Sequence, residues 1–245
     1  LELEDKWILS KLNSVIPEVT ENMDKYELGV AAQKVYDFIW DDYCDWYIEL
    51  TKSRLQGEDA EAKINAQKVL CYVLTHILKL LHPFMPFLTE EIWQALPHEG
   101  DFLMLQRWPE HHVELDFPEE EKAMEMIMDA IGAVRTRRAE MNVPPSKRAH
   151  LTVSTLEQEV FTAGIPFLKR LGYGSDVTIT GVAESGSDAD QAAKGMVTVI
   201  THAARISMPM AELVDMEKER ARMEKELGKS RAELEKLNTK LHNPG

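Results

Sequence analysis

Between Val134 and His150 the chain gathers Arg135, Arg137, Arg138, Lys147 and Arg148 against the single carboxylate Glu140, a local net charge of +4. Guanidinium groups offer forked donors that match two oxygens of a phosphate. The segment is therefore a candidate for contact with a nucleic-acid backbone. A plainer account is available for part of it, because each cation near a helix C-terminus gains about 0.3 to 1 kcal/mol from the dipole. That explains one or two arginines. It does not explain three, followed by Pro144-Pro145 and two more cations. A second basic set, Lys218, Arg222, Lys225 and Lys229, continues through Arg231, Lys236 and Lys240 among glutamates near the end of the chain. There, ion pairs at i to i+4 spacing compete with phosphate contact as the explanation.

Other groups that could do chemistry lack their companions. Asp41, Asp42, Asp45 and Glu49 could supply an acid and a base, yet no nucleophile or metal-ligand set accompanies them. His111 and His112 are adjacent and His76 and His82 are six apart, neither being the i, i+4 spacing that aims two imidazoles at one metal. Gly172-Tyr173-Gly174 lacks the third glycine and following helix of a dinucleotide fingerprint, and there is no Walker-type phosphate loop. No catalytic residue, metal site or cofactor is expected from these residues. The aromatics from Trp40 to Tyr47 could stack on unpaired bases, but they lie on stripes that a helix buries, which favours core packing.

Composition narrows the setting. With 245 residues, 44% of them hydrophobic, the chain can bury the cores of one or two domains. The apolar stretch from Val69 to Leu81 is broken by Thr75, His76 and Lys79, short of the roughly 18 to 20 apolar residues of a membrane span. The opening Leu1-Glu2-Leu3-Glu4-Asp5 is acidic where a secretory signal is basic. Cys44 and Cys71, 27 positions apart, form neither a disulfide framework nor a zinc pair, which suits a reducing cytoplasm. The net charge of -14 argues against general polyanion binding. Residues 1 to 115 carry 21 acidic and 10 basic side chains, net -11, so any nucleic-acid contact has to be local.

The elements that position these groups are mostly helical. Ile8, Leu12, Val15 and Val19 make one stripe; Leu28, Ala32, Val35, Ile39, Tyr43, Trp46 and Leu50 make a second. Asp24 and Glu27 suggest a capping box for that second helix. Tyr36, Trp40 and Tyr47 add aromatics to its other side, as if neighbours surrounded it. Ala66, Leu70, Val73, Ile77 and Leu81 form a third helix, ended by Pro83, and Thr89 to Ala95 a short fourth. Gln56 to Asp59 reads as an exposed connection. An antiparallel helical bundle follows. Pro97 to Phe117 loses periodicity and reads as an irregular crossing.

Phe117-Pro118 with Glu119-Glu120-Glu121 then makes a strong helix start, with Met124, Ile127, Ile131 and Val134 as its buried stripe. Alternation predicts strands at 149–153, 177–180, 197–200 and 204–208, with a helix at 156–171 between the first two and a polar, mobile loop at 181–195. The last segment steps by three and four through Leu213, Met216, Arg220, Met223, Leu227, Ser230, Leu234, Leu237 and Leu241, seven of nine being apolar. That predicts a coiled-coil helix about 40 Å long at 1.5 Å per residue. The expected fold is mainly α: a helical bundle over 1–115, a small α+β unit over 116–210 and the coiled-coil helix over 211–245.

Two runs, Trp40-Asp41-Asp42-Tyr43-Cys44-Asp45-Trp46-Tyr47-Ile48-Glu49-Leu50-Thr51-Lys52 and Leu80-Leu81-His82-Pro83-Phe84-Met85-Pro86-Phe87-Leu88-Thr89-Glu90-Glu91-Ile92-Trp93, together resemble the anticodon-binding region of bacterial valyl-tRNA synthetases. The similarity extends through Asp5 to Asn13, through Arg135 to Pro145, and through Leu213-Val214-Asp215, Glu217 to Arg220 and Lys240 to Asn243, which look like the start and tip of that family's coiled coil. The isoleucine and leucine enzymes share the bundle without that coiled coil, so the resemblance favours valine. It implies a non-catalytic part of a larger, monomeric, cytoplasmic enzyme that joins valine to its tRNA. ATP and Mg would be handled elsewhere in that enzyme, by upstream nucleotide-binding and editing domains whose motifs are not found here. The resemblance also implies an upstream bundle helix that contributes to anticodon reading, and a return helix packed along the coiled coil. Without that return helix the seam should be exposed and drive self-association.

The implied partner is valine tRNA, met by Arg135, Arg137, Arg138, Lys147, Arg148, Lys218, Arg222, Lys225 and Lys229. A reading from another class is a helical scaffold whose coiled coil binds protein and never touches RNA, which the net charge favours.

Overall fold

The computed structural model describes residues 1–182, 195–214, 227–231 and 234. The chain forms two compact units, Leu1–Glu125 and Met126–Gly245, and the boundary falls inside one helix.

In the first unit, α1 (Leu3–Asp24), α2 (Leu28–Asp37), a π-helical stretch (Phe38–Tyr47), α3 (Ile48–Gln56), α4 (Ala60–Leu81) and α5 (Pro86–Gln94) form the bundle. Connections of three residues, 25–27 and 57–59, turn the chain back on itself, and α1 packs on both α2 and α4. The Asp59 carboxylate caps α4 by accepting from Glu61 N at 3.0 Å and Ala62 N at 3.1 Å. Leu81 is the last residue of α4, two before Pro83. The fourth helix begins earlier than the periodicity suggests, because Pro86 sits at its first turn, where a missing N–H costs nothing.

Two expectations about the second helix are corrected. The Asp24 and Glu27 capping box does not form. Asp24 is the last residue of α1, Tyr26 takes a left-handed φ of 58° after it, and Glu27 makes no side-chain cap. The buried stripe also differs. Ala31, Val35 and Phe38 follow α-helical spacing, then a five-residue step leads to Tyr43 and onward to Tyr47 and Leu50. A π-helical turn holds more residues than an α-turn. It therefore rotates Tyr47 into the core; Leu28, at the start of α2 and ahead of that stretch, is exposed and off the stripe.

The irregular stretch 97–117 contains two short 3₁₀ turns, Leu103–Leu105 and Val113–Leu115. Side chains of α1 hold it in place. Asn13 Nδ2 donates to His112 O at 2.8 Å while Asn13 Oδ1 accepts from His112 N at 2.9 Å. Ser10 Oγ accepts from Phe117 N at 2.9 Å, and Trp108 Nε1 donates to Thr20 Oγ1 at 2.8 Å.

Helix α6 (Pro118–Glu140) begins at the predicted proline and carboxylates. The second unit contains a four-stranded sheet of β1 (Ala149–Thr155), β2 (Gly174–Thr180), β3 (Met196–Ile200) and β4 (Ala204–Pro209), in the order β2-β1-β4-β3. β1 runs parallel to β2 and antiparallel to β4. The crossover between β1 and β2 is two helices rather than the single one expected, α7 (Gln158–Ala163) and α8 (Ile165–Leu171). Gly164 lies between them and Pro166, which cannot donate to a helix ladder, follows. Ala149, Leu151 and Val153 of β1 are buried with Ile127, Ile131 and Val134 of α6 and with Phe161 and Leu168, giving this unit its own core.

A one-turn helix, Met210–Leu213, follows β4, and Val214 after it is extended. Leu213 is thus buried within this unit, not the first position of a continuous coiled-coil helix as expected. Residues 227–231 are helical, with Leu227 and Leu234 exposed. The remainder of the predicted coiled coil and most of the predicted 181–195 loop lie outside the described residues. Among the described residues, no helix is long and apolar enough to cross a membrane.

Candidate nucleic-acid interface

The basic cluster of the second unit is assembled around Tyr173, where three chain segments meet: the end of α6, the turn before β1 and the turn between α8 and β2. Gly172 closes α8, Tyr173 takes a left-handed φ of 57°, and Gly174 opens β2. A non-glycine residue held there costs on the order of 1 to 2 kcal/mol. The ring it positions lies 5.1 Å from the Arg138 guanidinium carbon and 5.9 Å from that of Arg135, a cation–π arrangement for both.

Each cation in the cluster has a different setting. Arg135 Nε donates to Leu171 O at 2.8 Å. Arg138 is 2% exposed, and its Nη2 donates to Pro144 O at 3.3 Å and to Lys147 O. Its Nε and Nη1 are buried without a partner. Burial pushes its pKa down from the ordinary guanidinium value, opposed by Tyr173. Arg148 is exposed, and its Nη1 donates to Lys169 O at 2.8 Å and Gly174 O at 3.1 Å. Lys147 N closes the Pro-Pro turn by donating to Pro144 O at 3.0 Å. Lys169, in the last turn of α8, pairs with Asp176 at 2.8 Å, and that contact holds the Asp176 carboxyl below its usual range.

The structure thus brings Arg135, Arg138, Lys147 and Arg148 together and adds Lys169, which the sequence did not single out, and Tyr173, which the sequence offered only within the dismissed Gly172-Tyr173-Gly174 motif. The available signal was weak: Lys169-Arg170 ends a helix just before Gly-Tyr-Gly. Arg137 stands apart from this group. It pairs with Glu140 at 3.0 Å and lines an open groove of about 500 Å³ between α6 and β3, whose other wall carries Val199 and Ile200. Lys229 is exposed on the helical residues 227–231, whereas Lys218, Arg222 and Lys225 lie outside the described residues.

In the first unit, the aromatics divide between two environments. Tyr43 and Tyr47 are core residues with rings 6.2 Å apart. Tyr36 and Trp40, 56% and 50% exposed, form a second pair 6.2 Å apart on the surface. Asp42 is half-buried, and burial pushes its carboxyl up to about 6, with Lys11 opposing and Asp41, Glu121 and Glu125 reinforcing the shift. The histidines are engaged locally: His76 Nδ1 with Tyr72 O at 2.8 Å, His82 Nδ1 with Thr89 Oγ1 at 2.7 Å, and His111 Nε2 with Asp116 Oδ1 at 3.0 Å.

Comparison with known proteins gives two matches, the first of which runs across the boundary between the two units. Residues 5–153 match the family described as the anticodon-binding domain of tRNA ligase, and residues 215–245 match the valyl tRNA synthetase tRNA-binding arm. The chain is 45% identical to a valine–tRNA ligase of Carboxydothermus hydrogenoformans, over 100% of its own length and 27% of that protein's. Identities of 43% and 42% relate it to the valine–tRNA ligases of Clostridium acetobutylicum and Oceanobacillus iheyensis, again over 27% of each. The chain therefore spans about a quarter of the length of the curated relatives it matches.

Proposed function

Because the chain belongs to the family of anticodon-binding domains of tRNA ligases, we propose that it is the tRNA-holding part of a valine–tRNA ligase, gripping the anticodon arm of valine tRNA while the chemistry takes place elsewhere. The observation that carries this reading is the order of the two matches along one chain, an anticodon-binding domain over 5–153 and a tRNA-binding arm over 215–245. The second match separates valine from the other amino acids whose ligases share such a bundle.

In this reading, Arg135, Arg137, Lys147 and Arg148 of the second unit and Lys218, Arg222, Lys225 and Lys229 of the arm meet the tRNA backbone. Arg138, sealed in the fold, acts from behind them. Activation of valine with ATP and Mg belongs to the part of the relatives' length outside this chain. The work belongs in the cytoplasm, where the free thiols of Cys44 and Cys71 stay reduced. The exposed Leu227 and Leu234 give the isolated chain a seam for self-association.

Nuclease footprinting of valine tRNA with the purified chain tests the reading. Protection of the anticodon arm is expected. Protection confined to other parts of the tRNA contradicts it, and so does ATP–pyrophosphate exchange by this chain alone.

A further inference from the structure

The second unit buries a positive charge that no residue neutralises among the described residues. Arg138 is 2% exposed, and two of its three nitrogens have no hydrogen-bond acceptor. No carboxylate pairs with it among the described residues. The Tyr173 ring, 5.1 Å away, supplies a quadrupole but no countercharge. The C-terminal end of α6 contributes at most about half a negative charge. A buried cation normally finds a carboxylate, because desolvating an unpaired charge is expensive.

The nearby acids are already engaged: Asp176 holds Lys169 at 2.8 Å, and Glu140 holds Arg137 at 3.0 Å. More positive charge is packed around Arg138 instead. Lys147 gives up its carbonyl to Arg138 and keeps its ammonium without a partner among the described residues. Arg148 anchors Nη1 on two carbonyls and, among the described residues, leaves the Nε and Nη2 edge unpartnered, the edge with which a guanidinium grips two oxygens side-on.

Resting on the tRNA-binding reading above, we propose that the Pro144–Arg148 turn is an oxyanion site for a phosphodiester of the RNA backbone. Lys147 and Arg148 reach the phosphate, and Arg138 is a positioning residue that fixes the turn through its carbonyls and supplies charge from behind. The bound anion is the missing countercharge. Since a phosphate carries no base identity, the site strengthens binding to any tRNA equally.

The test is filter binding of valine tRNA and of an unrelated tRNA across a salt series, with the whole chain and three variants. Lys147→Ala with Arg148→Ala should weaken binding roughly tenfold on both tRNAs and flatten the log-log salt slope by about one, the signature of one lost phosphate contact. Arg138→Met should show the same loss and Arg138→Lys should restore most of it, which a merely space-filling role would not. Should Arg138→Met fail to fold, Lys147→Ala alone decides, because that side chain holds nothing in the fold. Its loss of affinity and slope supports the site, and unchanged values refute it.

If the parent chain binds tRNA and the double variant matches it in affinity and slope, the site is refuted while the tRNA-binding reading stands. If the parent chain binds no tRNA, both fall. Inorganic phosphate titrated by ³¹P line broadening distinguishes the source of the anion. Broadening that the double variant abolishes, with tRNA affinity untouched, would make this a small-anion site and overturn the RNA assignment.

Discussion

Arg54 lays two nitrogens on the Asp5 carboxylate, Nη1 to Oδ2 at 2.8 Å and Nη2 to Oδ1 at 2.5 Å, tying the first turn of α1 to the end of α3. Tyr47, rotated inward by the π-helical stretch, donates its hydroxyl to the same Oδ1 at 2.7 Å. Burial alone would raise the Asp5 pKa, but hydrogen bonds from Arg54 and Tyr47 outweigh it and hold the carboxyl below its usual range. Removing one partner of such a pair leaves a bare buried charge, at a cost of about 3 to 5 kcal/mol. Arg54→Met should therefore lower the urea midpoint of the first unit by that much stability, and adding Asp5→Leu should recover part of the loss. Tryptophan fluorescence reads this unit alone, because Trp7, Trp40, Trp46, Trp93 and Trp108 all lie within it. An unchanged midpoint in Arg54→Met would contradict the assignment.

Glu4 responds oppositely to its neighbour. It also lies 2.8 Å from Arg54 Nη2, yet burial pushes its carboxyl from 4.5 up to about 7, because the guanidinium that opposes the shift is already shared with Asp5. A carboxyl whose folded pKa is raised contributes stability that is complete below pH 4.5 and fades as the pH rises through 7. The first unit should thus weaken between about pH 5 and 7.5, by up to about 3 kcal/mol at 1.36 kcal/mol per pKa unit, with Asp42 adding in the same direction. Glu4→Gln should flatten most of that slope. Urea midpoints measured at half-unit pH steps check it, and an identical slope in the variant contradicts it.

Periodicity made the bundle, helix α6 and the four strands legible, since each buries one face at the period its backbone dictates. It could not show the five-residue step from Phe38 to Tyr43, because an α-helical template forces Ile39 onto the stripe instead. The capping pattern of Asp24 and Glu27 was misleading for a related reason: Tyr26 occupies a left-handed position where glycine is usual, so α1 extends through Asp24. The basic segment was visible as charge. Its internal sorting was not, because the acceptors of Arg135, Arg138 and Arg148 are backbone carbonyls at 171, 144, 147, 169 and 174, which no residue type announces. Leu213 fitted the heptad pattern equally well whether it began an arm or ended a unit.

Tyr26 offers a direct test of backbone strain. With φ at 58° and 88% of its surface exposed, it gains little packing in the described fold. Tyr26→Gly should raise the thermal midpoint of the first unit, corresponding to about 1 kcal/mol. A lower midpoint would show that the ring is held by contacts its exposure conceals.

Gly172 is required for space. A Cβ there would lie 2.7 Å from the carbonyl oxygen of Leu168, a backbone atom that cannot move without opening the end of α8. Gly172→Ala should cost the second unit about 1 to 3 kcal/mol and shift Tyr173 away from Arg138. Thermal unfolding followed by circular dichroism measures the first effect, and an unchanged curve would contradict it.

The proposed grip of this chain on valine tRNA has to come from local phosphate contacts, because the net charge is -14. Its most direct test is the equilibrium affinity of the purified chain for valine tRNA at a series of salt concentrations. Saturable binding at low salt is expected, with a linear fall of log affinity with log salt and a slope of several units in proportion to the phosphates engaged. No binding at low salt, or an affinity indifferent to salt, would contradict it and favour a helical scaffold that never meets RNA.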